Sequence, residues 1–241
     1  VFAVAQQQDT IVDVNAGIIN AIADVSEYLD SNDEFVSRQD FILAAAKIFC
    51  IDTEQTSGPI SFTDVDRTSE LYRVLTYAVS AGYIADGEKF YPEEAIKAND
   101  AIKICVVAAG YKAAADLNGG YPGGYLKAAS LAGITKSVAS GVGSITAKDA
   151  YQLLYDTLDA PIMEQKINAQ QDEFYVNNDV KLMNALHDIY YMKGIMNKNA
   201  YTAIGDSTCI GVSSKVEVDG ESFDYTGDWN GYLGYYVTAY Y

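Results

Sequence analysis

The sequence predicts an α+β protein in which a pseudo-threefold helical module precedes a small β-rich domain. Two observations favour this fold class. A two-helix unit recurs along the chain as far as residue 160, and after Pro161 short runs of β-branched and aromatic residues alternate with Gly, Asn and Asp. The 241 residues are 49% apolar and 20% charged, which is typical of a folded chain. We expect four segments, namely 1–19, 20–160, 161–176 and 177–241.

The segment 1–19 precedes the repeats and has two interpretations. Ala3 and Ala5 stand in the A-x-A arrangement that is typical of the end of a secretory signal peptide, and three polar Gln residues follow them. This interpretation makes the segment a signal-peptide remnant and the protein an exported one. The alternative is an ordinary chain terminus.

The recurring unit consists of a first helix that ends at Gly and a second helix that begins at a capping residue. Gly82 and Gly133 mark the ends of two first helices, because a residue without Cβ enters the left-handed conformation at little cost. Two second helices open with the Ser/Thr-x-x-acid spacing of a capping box. Apolar residues then repeat at helical spacing, which predicts three stripes packed into one core. The predicted helix-capping residues are Ser37, Asp40, Asp100, Thr146 and Asp149.

Two predictions concern the rest of the chain. Residues 161–176 are expected to form a connecting helix. Residues 177–241 are expected to form a small barrel or sandwich with an OB-like architecture, and Asp219-Gly220 is suited to a tight hairpin turn.

Composition and charge exclude several functional classes. The net charge is −17 and the chain has no block of Lys or Arg, which disfavours binding to nucleic acid, and no apolar stretch is long enough to span a bilayer. The one histidine, His187, is predicted to be structural, and Cys50 and Cys105 lie in apolar runs that predict buried free thiols. No catalytic constellation stands out, so the chain is predicted not to be an enzyme.

Metal sites and cofactors are not predicted. Residues 30–34 begin with the ligand spacing of an EF-hand loop, but Phe35 and Phe41 occupy the positions that require Gly and Glu. The acidic surface is therefore expected to bind Ca²⁺ only diffusely, and no cofactor is expected.

Several segments carry a family resemblance. Phe-Thr-Asp at 62–64, Gly-Tyr-Ile at 82–84, Phe-Tyr-Pro at 90–92 and YPGGYLKAASLAGITKSV at 121–138 resemble S-layer homology repeats. The resemblance covers about residues 20 to 160 as three degenerate copies. It implies a module that holds an exported protein on the bacterial cell surface by binding a secondary cell-wall polysaccharide, which in that family often carries a pyruvylated amino sugar.

The resemblance also implies a binding site. In the family the second helix opens with Thr-Arg-Ala-Glu, and the Arg meets the anionic sugar in the groove between repeats. The matching segments here begin at Ser37, Lys97 and Thr146, and the first alone keeps its arginine, Arg38. Polysaccharide binding is therefore expected at one groove centred on Arg38. The lesser candidates, each one position away from the matching site, are Lys97 and Lys148.

Two functions remain open from the sequence. The leading one is a non-enzymatic cell-surface or cell-wall protein that anchors to secondary cell-wall polysaccharide. The alternative is a self-assembling subunit of a surface layer or extracellular filament, in which the repeats act as a protein–protein scaffold. Both place the protein outside the cell.

Overall fold

A computed structural model describes residues 2–4, 11–30, 34–51, 53, 58–136, 138–139, 141–166, 173–205, 208–211, 214–225 and 230–241. The protein is α+β, as predicted, and it divides into two compact units. The helical unit comprises residues 15–187, and the sheet unit comprises residues 1–14 together with 188–241. Residues 31–33, in the segment compared with an EF-hand loop, lie outside the described residues.

The helical unit contains most of the helices. They are α1 (Ile11–Ile22), which begins in the sheet unit, α2 (Arg38–Ile48), α3 (Glu70–Ser80), α4 (Ala98–Ala108), α5 (Lys112–Leu117), α6 (Gly123–Ala132), α7 (Ala147–Leu158) and α8 (Leu182–His187). Helices α3 and α4 form one recurring pair and α6 and α7 the next. Gly82 and Gly133 follow α3 and α6 with φ of 82° and 76°, the left-handed conformation that ends these helices.

The helices α2, α4 and α7 contact one another pairwise and form the centre of the helical unit. Each presents the apolar stripe that its spacing predicts. Phe41 and Ile48 of α2, Ile102 of α4, and Leu153 and Leu154 of α7 are fully buried. This mutual burial of side chains supplies most of the hydrophobic stabilisation of the unit.

Three residues close a ring of backbone hydrogen bonds at the starts of these helices. The Val36 N–H donates to the Ile145 carbonyl (3.0 Å), the Ile145 N–H to the Ile96 carbonyl (3.3 Å), and the Ile96 N–H to the Val36 carbonyl (2.9 Å). Each residue is at most 3% exposed and lies directly before the N-cap of α2, α4 or α7. The ring satisfies buried backbone donors that would otherwise be costly and ties the three helix starts together.

An antiparallel hairpin stands where a connecting helix is expected over residues 161–176. Strand β2 (Pro161–Lys166) pairs with β3 (Glu173–Lys181), which runs into α8. The Tyr111 hydroxyl donates to the Pro161 carbonyl (2.9 Å) and so attaches the hairpin to the start of α5. The run Glu173 to Val176 combines aromatic and β-branched residues, whose preference for strands prevails here over the helical character of the preceding residues.

The sheet unit is an open antiparallel sheet, and the described residues form no closed barrel. Its strands are β1 (Phe2–Val4), β4 (Tyr191–Lys198), β5 (Lys215–Val218), β6 (Glu221–Asp224) and β7 (Tyr236–Tyr240), in the order β1-β7-β4-β5-β6. Strand β1 pairs with β7, so residues 2–4 form an edge strand of this sheet. The small core of the sheet is formed by Met196, Val216, Val218, Val237 and Ala239.

The turn between β5 and β6 has the expected conformation. Asp219 and Gly220 both have positive φ, 45° and 92°, and join Val218 to Glu221 as a two-residue loop. Two consecutive positive φ values define the type I′ turn, whose twist matches that of the flanking strands.

Candidate functional site

The Arg38 cleft is the candidate site of the helical unit. It is a concavity of about 210 Å³ between the start of α2, the loop 83–90 and one face of α4. Its polar or aromatic lining residues are Arg38, Tyr83, Phe90, Asp100, Lys103 and Tyr121. The cleft therefore combines aromatic walls with two cations and one carboxylate.

Arg38 is held in a fixed position at the first turn of α2. Its Nε donates to the Phe90 carbonyl (2.8 Å), and its guanidinium carbon lies 4.8 Å from the centroid of the Phe90 ring. One terminal nitrogen lies 3.6 Å from the Asp100 carboxylate, and the side chain keeps 27% exposure. The planar guanidinium presents donors in a fixed fork, so a residue anchored in this way is preorganised for a ligand.

The loop that receives Arg38 is itself fixed to the start of α2. The N–H groups of Arg38 and Gln39 donate to the carbonyls of Glu94 and Pro92, respectively. The first four N–H groups of a helix have no acceptor within the helix, so the loop supplies acceptors for two of them. The same arrangement recurs at α4, where the N–H groups of the first two residues donate to the carbonyls of residues 143 and 141. The repeat is thus visible in individual hydrogen bonds.

Asp100 has a different role from the predicted one. The N-cap of α4 is Lys97, whose side chain has no acceptor, and no side-chain capping bond forms there. The Asp100 carboxylate instead accepts a hydrogen bond from the Tyr121 hydroxyl (2.7 Å) and pairs with Arg38. Burial, and then the bond to this carboxylate, raises the pKa of Tyr121 to about 12.

The other predicted caps lie at helix starts. Ser37 accepts from the Asp40 N–H at the start of α2. Thr146 and Asp149 form a reciprocal capping box at the start of α7. These four residues fix where the two helices begin, and Ser37 and Asp40 thereby fix the position of Arg38.

Lys103 is the residue of the cleft that sequence reasoning missed. It follows Asp100 by three residues on α4, and its Nζ lies 5.7 and 5.9 Å from the ring centroids of Tyr121 and Tyr125. Within the part of the chain that the structure describes, it forms no ion pair with a carboxylate. Burial lowers the pKa of Lys103, and the charges of Asp100 and Asp116 oppose this shift. The spacing to Asp100 is the one signal that could have found it.

Lys97 and Lys148, the lesser candidates, are exposed and are not among the residues that line the Arg38 cleft. Lys97 Nζ lies 3.4 Å from the Ser144 hydroxyl. The structure therefore brings Arg38 together with Lys103 and not with either predicted lysine.

A second cleft occupies the corresponding position at the start of α4. It measures about 250 Å³ and is lined by Ala98, by residues 138, 139, 141 and 143–145, and by Asp149. Ala98 stands where Arg38 stands in the first cleft, one residue after the N-cap. The second cleft thus has a carboxylate and no cation among its described lining residues.

The described residues offer no metal site and no membrane-spanning helix. They contain no group of three or more His, Cys, Asp or Glu side chains arranged to hold a metal ion. None of their helices has the length and apolar character that a membrane span requires.

Comparison with known proteins gives no family for this chain. No model of a protein family matches the sequence, and no curated protein matches it significantly.

Proposed function

We propose that the helical unit is a degenerate S-layer homology module that anchors an exported, non-enzymatic protein to the bacterial cell wall. The observation that carries the proposal is the Arg38 cleft, where the family-like arginine is fixed beside a second cation. The cyclic contacts of α2, α4 and α7 and the hydrogen-bond ring at their starts support three related repeats around one axis. The module binds a secondary cell-wall polysaccharide through this cleft.

The charges of the cleft favour an acidic sugar. In a chain of net charge −17, a carboxylate ligand needs a local cation to overcome the repulsion of the surrounding surface. Arg38 is already shared with Asp100, whereas the Lys103 ammonium group has no carboxylate partner among the described residues. Lys103 therefore pairs with the carboxylate of the sugar, such as the ketal carboxylate of a pyruvylated residue, and Arg38 donates to its oxygens.

The aromatic residues of the cleft suit the rest of a sugar ring. Tyr121 is 49% exposed and lies at the edge of the cleft, and Phe90 and Tyr83 lie deeper. An aromatic face packs against the apolar C–H face of a sugar, and a tyrosine hydroxyl bonds to sugar hydroxyls. Binding takes place at one cleft, because Ala98 and Ala147 occupy the two positions that correspond to Arg38.

The experiment is co-sedimentation of the purified protein with Gram-positive cell-wall sacculi that carry a pyruvylated polymer. The same sacculi after acid extraction of that polymer provide the blank. Lys103→Met and Arg38→Met should each weaken binding by about tenfold or more, the loss expected for one charge-assisted contact. Lys97→Met and Lys148→Met are matched controls, because they remove the same charge outside the cleft, and they should pellet like the wild type.

Three results would contradict the proposal. Pelleting that survives acid extraction would show that the polymer is not the ligand. Equal loss of binding in Lys97→Met and Lys103→Met would show a diffuse charge effect rather than a site. A folded wild-type protein that does not pellet with untreated sacculi would exclude anchoring to this polymer.

A second function is favoured by the β2–β3 hairpin. Its consecutive residues Phe174, Tyr175 and Val176 are 37%, 45% and 39% exposed. Exposed aromatic residues on a two-stranded hairpin are a surface suited to protein contacts, as in a self-assembling subunit of a surface layer or filament. This function predicts particles that grow with protein concentration in wall-free buffer, measured by light scattering, and that are lost in Phe174→Asp.

A further inference from the structure

Cys50 and His187 form a pair that the proposed anchoring does not use. Cys50 is expected to be buried, but it follows the end of α2 with a φ of 51° and is exposed. Its Sγ lies 3.9 Å from Nδ1 of His187, at the end of α8, within the range of a hydrogen bond to sulfur. The helical unit thus places its exposed thiol beside the one imidazole of the chain.

The backbone determines which ring nitrogen faces the thiol. His187 Nε2 lies 2.8 Å from the Ile48 carbonyl, which can only accept a hydrogen bond. Nε2 must therefore carry the proton, and in the neutral ring the lone pair of Nδ1 points to Cys50. A nucleophile beside a base that a third group orients is the arrangement by which proteins activate thiols.

We propose that Cys50 and His187 form a reactive thiol site that exchanges with low-molecular-weight disulfides. His187 Nδ1 accepts the thiol proton as the Cys50 sulfur attacks one sulfur of the disulfide. The disulfide S–S bond breaks and a mixed disulfide forms on Cys50. The leaving thiolate takes the proton from the imidazolium, so one disulfide and one thiol are consumed and one of each is formed.

The other two cysteines serve as internal references. Cys105 is buried, and desolvation raises the pKa of its thiol to about 12, so the folded protein should not react there. Cys209 is exposed as well. The one histidine of the chain contacts Cys50, so Cys209 has no imidazole base beside it. The rate at which Cys209 reacts with a disulfide should thus reflect its exposure alone. The Cys50 thiol should react faster, because the imidazole acts as its base.

The test measures stopped-flow rates with 4,4′-dithiodipyridine at pH 7, a neutral disulfide whose approach is not opposed by the acidic surface. The Cys209→Ser variant reports the rate at Cys50, and the Cys50→Ser variant reports the rate at Cys209. The rate at Cys50 should be about tenfold higher than the rate at Cys209. Adding His187→Gln should remove this advantage at Cys50 and leave the rate at Cys209 unchanged. The glutamine amide keeps a donor for the Ile48 carbonyl but supplies no base.

Two outcomes would overturn the proposal. One is a Cys50 that reacts no faster than Cys209 while His187 is present, a comparison that does not depend on the folding of the histidine variant. The other is an unchanged Cys50 rate in His187→Gln. Reaction of a second thiol equivalent in that variant would report exposure of Cys105 and hence unfolding, which separates loss of structure from loss of the base.

Discussion

A single carboxylate supports the loop that fixes Arg38. The two carboxylate oxygens of Asp64 accept the backbone N–H groups of Phe90 and Tyr91, each at 2.8 Å. Burial tends to raise the pKa of this carboxyl, but the two backbone hydrogen bonds outweigh it and lower the pKa. Because the Phe90 carbonyl accepts from Arg38 Nε, Asp64 positions the arginine without lining the cleft itself.

Asp64→Asn should lower the stability of the protein at neutral pH. The neutral amide has one acceptor oxygen, so one of the two bonds to the loop is lost and the other is no longer charge-assisted. The free energy of unfolding should fall by about 1–3 kcal/mol, measured by urea titration at pH 7. Glu88→Gln removes an exposed carboxylate from the same loop and is the matched control, with an expected change below about 0.5 kcal/mol.

The effect of Asp64→Asn should depend on pH in a defined direction. The pKa of Asp64 is lower in the folded protein than in the unfolded chain, so its contribution to stability is present above about pH 4. The contribution is lost as the pH falls through the folded-state pKa. The difference between wild type and variant should therefore narrow from pH 7 to pH 3, and a constant difference over this range would exclude the charge as its source.

At the level of elements, α4 and α7 begin in chemically different ways. Helix α7 has a reciprocal capping box, whereas α4 begins at Lys97, which makes no side-chain cap although its backbone has the extended conformation of an N-cap. Lys97→Ser should supply a side-chain acceptor for the Asp100 N–H, which now donates to the Lys97 carbonyl (3.0 Å). The expected gain in unfolding free energy is about 0.5–1 kcal/mol by chemical denaturation.

The converse change belongs to α7. Thr146→Ala removes the hydroxyl from the capping box and should cost about 1 kcal/mol in the same measurement. Thr146→Ser keeps the hydroxyl and should recover most of the loss. Equal losses for the alanine and serine variants would show that the methyl group and not the cap is responsible.

For the whole molecule, the sequence predicts the parts that have a local signal. Gly at a helix end and an acceptor at a helix start act within a few residues, so the ends of α3 and α6, the starts of α2 and α7 and the turn at Asp219 follow from spacing. The pairing of Cys50 with His187 has no such signal, and the three-residue spacing from Asp100 places Lys103 on the same face of α4 without indicating a cleft. Both the pairing and the cleft depend on which residues the fold brings together across tens of positions in the chain.

The expected helix over residues 161–176 illustrates a second limit. A short run that mixes polar and apolar residues satisfies helical and strand patterns equally well, and length and neighbours decide between them. Here β2 is a strand because it pairs with Glu173–Lys181 and because its first residue accepts a hydrogen bond from Tyr111. Both contacts are tertiary. The N-terminal strand β1 is likewise defined by its partner β7, at the far end of the chain.

The charge of the whole molecule predicts how salt acts on its stability. At −17 the folded protein repels itself, and added salt shortens the screening length from about 30 Å at 0.01 M to about 3 Å at 1 M. The Tm should therefore rise gradually with NaCl. If the acidic surface binds Ca²⁺ only diffusely, CaCl₂ and MgCl₂ at equal concentration should raise the Tm equally and without saturation. A rise that saturates at micromolar Ca²⁺ and is absent with Mg²⁺ would instead require a built calcium site, because diffuse screening does not distinguish two ions of the same charge.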